Sequence, residues 1–109
     1  MKIEEVGMLY TIGADGDLGE EFERVAASDL GNYIVIAGAD KAYAKVAAIL
    51  NKWYCEANGG EPYTEKDFLL LPFGDFSVLQ EKVVDAILTG QKQTVKTKKQ
   101  KNAKAADTT

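Results

Sequence analysis

A small, mainly α domain is what this sequence predicts, with room for a short N-terminal β-strand or hairpin and with a disordered basic C-terminal tail. Three observations lead there. Apolar residues recur at spacings of three and four over Tyr33 to Ala57, a second such stripe runs from Phe73 to Leu88, and residues 91–109 contain almost nothing apolar. The chain has 109 residues, 46% of them apolar and 28% charged, which is the size and balance of one soluble domain. The expected division is a helical domain over 1–90 and a flexible Lys-rich tail over 91–109.

Taken in order, Lys2 to Ile12 is rich in β-leaning residues interrupted by Gly7, and Gly13-Ala14-Asp15-Gly16-Asp17 follows as a turn. A strand or hairpin and other conformations remain open for this stretch. Asp17 and Glu20 have the spacing of a capping box, predicting a short helix from Leu18 to Ala27. Ser28 to Asn32 reads as a break. The long helix is then expected from Tyr33 to Ala57, with Gly38 inside it as a weak point, although Tyr33 to Ile36 alone also fits a strand. Its polar face carries Asp40, Lys41, Lys45, Asn51, Lys52 and Glu56, and Asn58-Gly59-Gly60 supplies a left-handed exit. Thr64-Glu65-Lys66-Asp67 has the form of a cap opening a short helix through Leu71. Pro72 breaks that helix, and a last helix carrying Phe73, Phe76, Leu79, Val83, Ile87 and Leu88 is closed by Gly90.

Charge is distributed unevenly. Residues 1–90 hold seven basic and sixteen acidic side chains, a balance of −9, while 91–109 hold six lysines and one aspartate, a balance of +5. There is no histidine, which removes the commonest general base and metal ligand and excludes His-dependent hydrolysis. The lone Cys55 has no partner for an internal disulfide and no imidazole to activate it. The start MKIEEVGMLY lacks the basic flank and apolar core of a secretory signal, and no apolar run has the length of a membrane span, so a cytoplasmic protein without a membrane partner is expected.

Glycines at 13, 16 and 19 follow neither nucleotide-loop pattern, and a calcium loop starting at Asp15 would need oxygen ligands where Gly19 and Ala26 stand. No catalytic residue, metal or cofactor is therefore expected. The acidic body argues against nucleic acid as the tail's partner. Trp53, Tyr54, Phe73 and Phe76 are either core between the two long helices or contacts for a protein partner, because Trp and Tyr dominate such contacts.

The residue order itself adds a further indication. Tyr10-Thr11-Ile12-Gly13-Ala14, a helical stretch ending Ala48 to Tyr54, then Tyr63-Thr64-Glu65-Lys66-Asp67-Phe68-Leu69-Leu70-Leu71-Pro72-Phe73-Gly74-Asp75-Phe76 and a Lys- and Thr-rich end from Gln93 resemble the tail assembly chaperones of long-tailed phages and Gram-positive prophages. The likeness covers most of residues 8–100 and rests on order and size. It implies a small, mostly helical, non-catalytic protein that binds the tape-measure protein, keeps that long helical client soluble and helps recruit tail-tube protein. It also implies a longer second form, made by ribosomal frameshifting, for which a flexible end is a natural tether. A surface that grips helices is expected to form homo-oligomers as well. Two other classes stay open: a small acidic regulatory or inhibitor protein that binds a basic host partner, and an enzyme working with carboxylates alone or with carboxylates and a metal.

Overall fold

A computed structural model describes residues 1–22, 38–101, 103–104 and 106–107, with side chains as far as Gln91. Among these residues the order is a 3-10 turn at Ile3–Glu5, α1 at Ile12–Glu21, α2 at Ala39–Asn58, α3 at Glu65–Leu69, a 3-10 turn at Phe73–Asp75 and α4 at Phe76–Lys101. Two two-residue strands, β1 at Ala103–Lys104 and β2 at Ala106–Asp107, pair antiparallel after it. The chain is mainly helical and its helices pack around α2, which touches α1, α3 and α4. Ala42, Ala44 and Ala47 are buried beside Tyr43, Val46 and Leu50, so α2 buries more than one stripe, and its small side chains let three neighbours approach. Ile3, Val6, Leu18, Phe22, Phe68, Leu79, Val83 and Ile87 close the core around it.

Several expectations are corrected, and the alternative left open for the N-terminal stretch is decided. The N-terminal stretch forms no strand or hairpin: after the 3-10 turn it runs as a strap on α2, where Leu9 N–H donates to the Leu50 carbonyl at 3.0 Å and the Gly7 carbonyl accepts from Asn51 Nδ2 at 2.8 Å. Hydrogen bonds to a helix replace those of a sheet partner, which satisfies the same requirement on buried amides. The glycine-rich stretch after it is helix rather than turn. Thr11, not Asp17, caps α1 by accepting the Ala14 N–H at 3.0 Å, and Ala14, Leu18 and Phe22 are buried at a four-residue spacing. Glycines cost a helix about 1 kcal/mol each relative to alanine, so α1 is held by packing rather than propensity. Val25 to Ile36 and the break expected at Ser28–Asn32 lie outside the described residues.

The long helix begins at Ala39, because Gly38 has φ +84°, a conformation that glycine tolerates outside a helix and not within one. Its exit agrees with the sequence: Gly59 and Gly60 have φ of +93° and +100°, and Gly59 N–H donates to the Cys55 carbonyl. Asn51 is a further correction and the largest in energetic terms. Assigned to the polar face, it is only 3% exposed, and both ends of its amide are engaged: Nδ2 donates to Gly7 and Oδ1 accepts the Tyr63 N–H, each at 2.8 Å. One side chain thus pins the N-terminal strap and the loop leaving α2 to the same point.

The capping box is present as read. Thr64 Oγ1 accepts the Asp67 N–H at 3.2 Å and Asp67 Oδ2 accepts the Thr64 N–H at 2.9 Å. The helix it opens ends at Leu69, two residues short of Leu71. Thr64→Ala is expected to lower the unfolding free energy by about 1 kcal/mol and Thr64→Ser to leave it nearly unchanged, as read by urea denaturation.

Pro72 ends the corner and α4 follows with Leu79, Val83 and Ile87 buried, whereas Phe73 and Leu88 point to solvent instead of completing that stripe. Gly90 does not close α4. It is buried against the backbone of Tyr10, and the helix continues past it to Lys101. The expected mobility of 91–109 concerns residues whose side chains, beyond Gln91, lie outside the described set.

Candidate functional site

The four aromatic residues singled out by the sequence separate into two places. Tyr43 packs edge-on against Phe76, with ring centroids 5.8 Å apart at 87°. Trp53 lies ten residues further along α2, or about 15 Å at the helical rise, so it belongs to the other end of the helix.

At that end both rings serve the fold. The Trp53 indole covers Gly13, where a Cβ would meet the ring at 2.5 Å, and Nε1 donates to Asp17 Oδ2 at 2.8 Å. Lys52 Nζ reaches the same carboxylate at 3.1 Å and stands 5.3 Å from the indole centroid. Tyr54 covers Gly7 in the same manner while remaining partly exposed. Gly13, read as part of a turn, and Gly7, read as an interruption in a β-leaning stretch, are thus seats for aromatic rings.

The charges around these contacts tie α1 to α2. The indole hydrogen bond holds the Asp17 carboxyl below the usual carboxylate range, opposed by desolvation and helped by Lys52. A depressed folded-state value means that the contribution is present above the unfolded pKa of about 3.9 and is lost as pH falls through the folded value. Asp17→Asn should accordingly reduce the drop in melting temperature between about pH 6 and about pH 3 compared with the parent chain. Thermal melts across that interval check it, and an unchanged drop would remove Asp17 from the acid response.

Lys45 ties α1, α2 and α3 together by reaching Glu21 at 2.7 Å and Glu65 at 3.3 Å. The Glu21 hydrogen bond is the main cause that raises its pKa, against some desolvation. Burial first, and then the hydrogen bond to Asp15 at 2.7 Å, push the Tyr10 phenol above its ordinary value and keep it a neutral donor.

The other place is a corner built by α3, Pro72 and the 3-10 turn. Thr64 starts α3 and Phe68 anchors it in the core, edge-on to Tyr63 at 6.2 Å and 76°. The remaining apolar residues of the corner cannot share one buried face. Leu70 is 71% exposed, Leu69 46% and Phe73 82%, with Phe73 stacked on Phe76 at 6.1 Å and 10°. Between this ridge and the start of α2 lies a hollow of about 290 Å³, walled by Phe68, Leu71, Phe76 and Leu79 and reached by Asp40. A second hollow of about 310 Å³ opens on the far side of Leu70, beside Tyr63 and Met1.

Phe73 and Phe76 are therefore brought together at an exposed apolar site, and Trp53 and Tyr54 are not part of it. Leu69 and Leu70 belong to it and were missed. The signal was in the sequence, because Phe68-Leu69-Leu70-Leu71-Pro72-Phe73 is a longer unbroken apolar run than one short helix can turn inward.

Among the described residues no group of three or more Cys, Asp or Glu side chains is placed to hold a metal ion. No helix among them is long and apolar enough to cross a membrane. Comparison of the chain with protein-family models, with characterised proteins and with solved structures finds no match.

Proposed function

We propose that this chain is a non-catalytic tail assembly chaperone of a long-tailed phage or prophage, working in the host cytoplasm. It binds the tape-measure protein through the apolar corner and aids tail-tube assembly. The observation that carries the reading is the exposed ridge of Leu69, Leu70 and Phe73 beside an apolar hollow, a surface in search of an apolar partner on a small helical body. An amphipathic helix fits such a surface, since its residues at i, i+3 and i+4 set apolar side chains into a groove while its other face stays in water. The order of residues from Tyr10 to Phe76, which resembles that family, supplies the identity of the client.

Binding and release without chemistry would let the chaperone cover a long client in several copies and leave as tail-tube subunits arrive. Co-expression with the very long helical protein of the same gene neighbourhood tests this. The client is expected to be soluble with the chain and to aggregate without it. Phe73→Ser should lower the soluble fraction several-fold while leaving the melting temperature nearly unchanged, because Phe73 is already in water. Equal aggregation in both cultures ends the proposal. Salt-sensitive binding to a basic host protein, indifferent to Phe73, would instead favour an acidic regulator.

A further inference from the structure

Resting on that reading, we infer that the hollow beside Phe73 selects a cationic amphipathic helix, one whose apolar stripe is flanked by lysine or arginine. The hollow's lining is apolar except for Asp40, its one charged side chain among the described residues. Asp75 closes the 3-10 turn that presents Phe73. Neither carboxylate has an ion-pair partner among the described residues, whereas Lys45 is already held between Glu21 and Glu65 and Lys52 by Asp17. Behind them stands a body of balance −9 over residues 1–90.

A helix entering this hollow brings its flanking side chains to the rim where Asp40 stands. Glutamates there meet carboxylates across a partly dehydrated boundary, and lysines meet them with complementary charge. The apolar stripe supplies contact and the rim supplies choice. The chain's own Lys-rich tail matches the charge but has Val95 as its only large apolar side chain, so it lacks the stripe.

The test uses the full chain and three synthetic helical peptides of about 18 residues: a leucine stripe flanked by lysines, the same stripe flanked by glutamates, and the lysine-flanked frame with serines in the stripe. Fluorescence anisotropy of labelled peptide reads binding at low and high salt. The lysine-flanked leucine peptide is expected to bind about tenfold more tightly than either of the others, with the preference over the glutamate peptide shrinking at high salt. Phe73→Ser and Leu69→Ser should each weaken it about tenfold, because both side chains line the hollow, and Asp40→Asn with Asp75→Asn should erase most of the discrimination between flanks.

Equal binding of lysine- and glutamate-flanked peptides overturns the inference. So does equal binding of the serine-stripe peptide, which would reduce the effect to bulk charge. A chain that dimerises through this face in sedimentation, becomes monomeric as Phe73→Ser and binds no peptide overturns it too, with a second copy as the occupant. A client kept soluble without any preference between flanks removes this inference and leaves the chaperone reading; the preference without solubilisation does the reverse.

Discussion

An Asn51→Leu variant is expected to unfold with about 3 to 4 kcal/mol less free energy than the parent chain, as urea denaturation at neutral pH would read it. Leucine is close in size and favours helix, so local propensity would predict a small gain. The loss comes from the partners. Asn51 is buried, and its amide is the donor to the Gly7 carbonyl and the acceptor for the Tyr63 N–H, both at 2.8 Å. Leucine leaves two partly buried backbone groups without the partner they have in Asn51, at about 1 to 3 kcal/mol each. The strap and the Tyr63 loop should also exchange their amide hydrogens faster in the variant, because both lose the same anchor. A loss below about 1 kcal/mol would mean that other groups take over both bonds.

Gly90→Val is expected to cost about 3 kcal/mol, and Gly90→Ala to be destabilising as well, against the roughly 1 kcal/mol that alanine normally adds in a helix. A Cβ at this position would stand 2.7 Å from the Tyr10 carbonyl oxygen and 2.9 Å from its Cβ. One of these neighbours is backbone, so the strap itself must move. Gly16→Ala in α1 provides the contrast, since nothing lies within 4 Å of its added methyl. There the variant should gain about 0.5 to 1 kcal/mol. Opposite signs for Gly16→Ala and Gly90→Ala, measured by denaturation, are the expected result. A gain at both would show that the strap does not rest on α4.

The same contrast explains which parts of the fold were legible. The Thr64–Asp67 capping box and the Gly59-Gly60 exit were read correctly because each involves residues within about four positions of each other, where sequence distance and spatial distance agree. Pro72 as the break was readable for the same reason. Gly13 and Gly90 misled because a glycine has two uses that look identical in a sequence. It permits unusual backbone angles, as at Gly38, or it makes room for a neighbour, as beneath Trp53 and Tyr10. Asn51 misled because a polar residue on a helix counts as solvent-facing until a distant backbone group is known to need it.

The apolar corner was half legible. Phe73 and Phe76 were chosen on residue type, which placed them together with Trp53 and Tyr54 on equal terms. Type could not separate them, since an aromatic ring over a glycine and an aromatic ring in water are equally apolar. The unbroken run of six residues from Phe68 to Phe73 was the better signal, because a helix turns each successive side chain by about 100° and cannot bury them all on one side.

By itself the sequence determined a mainly helical body with an acidic charge balance, the cap at Thr64, the exit at Gly59-Gly60, the break at Pro72 and the absence of histidine. Those properties follow from periodicity, charge count and contacts a few residues long. Only the tertiary structure decided that the N-terminal stretch is a strap and not a strand, that Asn51 is a buried latch across 44 positions, and that Trp53 faces Asp17 across 36. It likewise decided that Phe73 stands in water. The physical reason is that a strap, a latch and an exposed ring are defined by what lies opposite them, and what lies opposite is set when the helices pack.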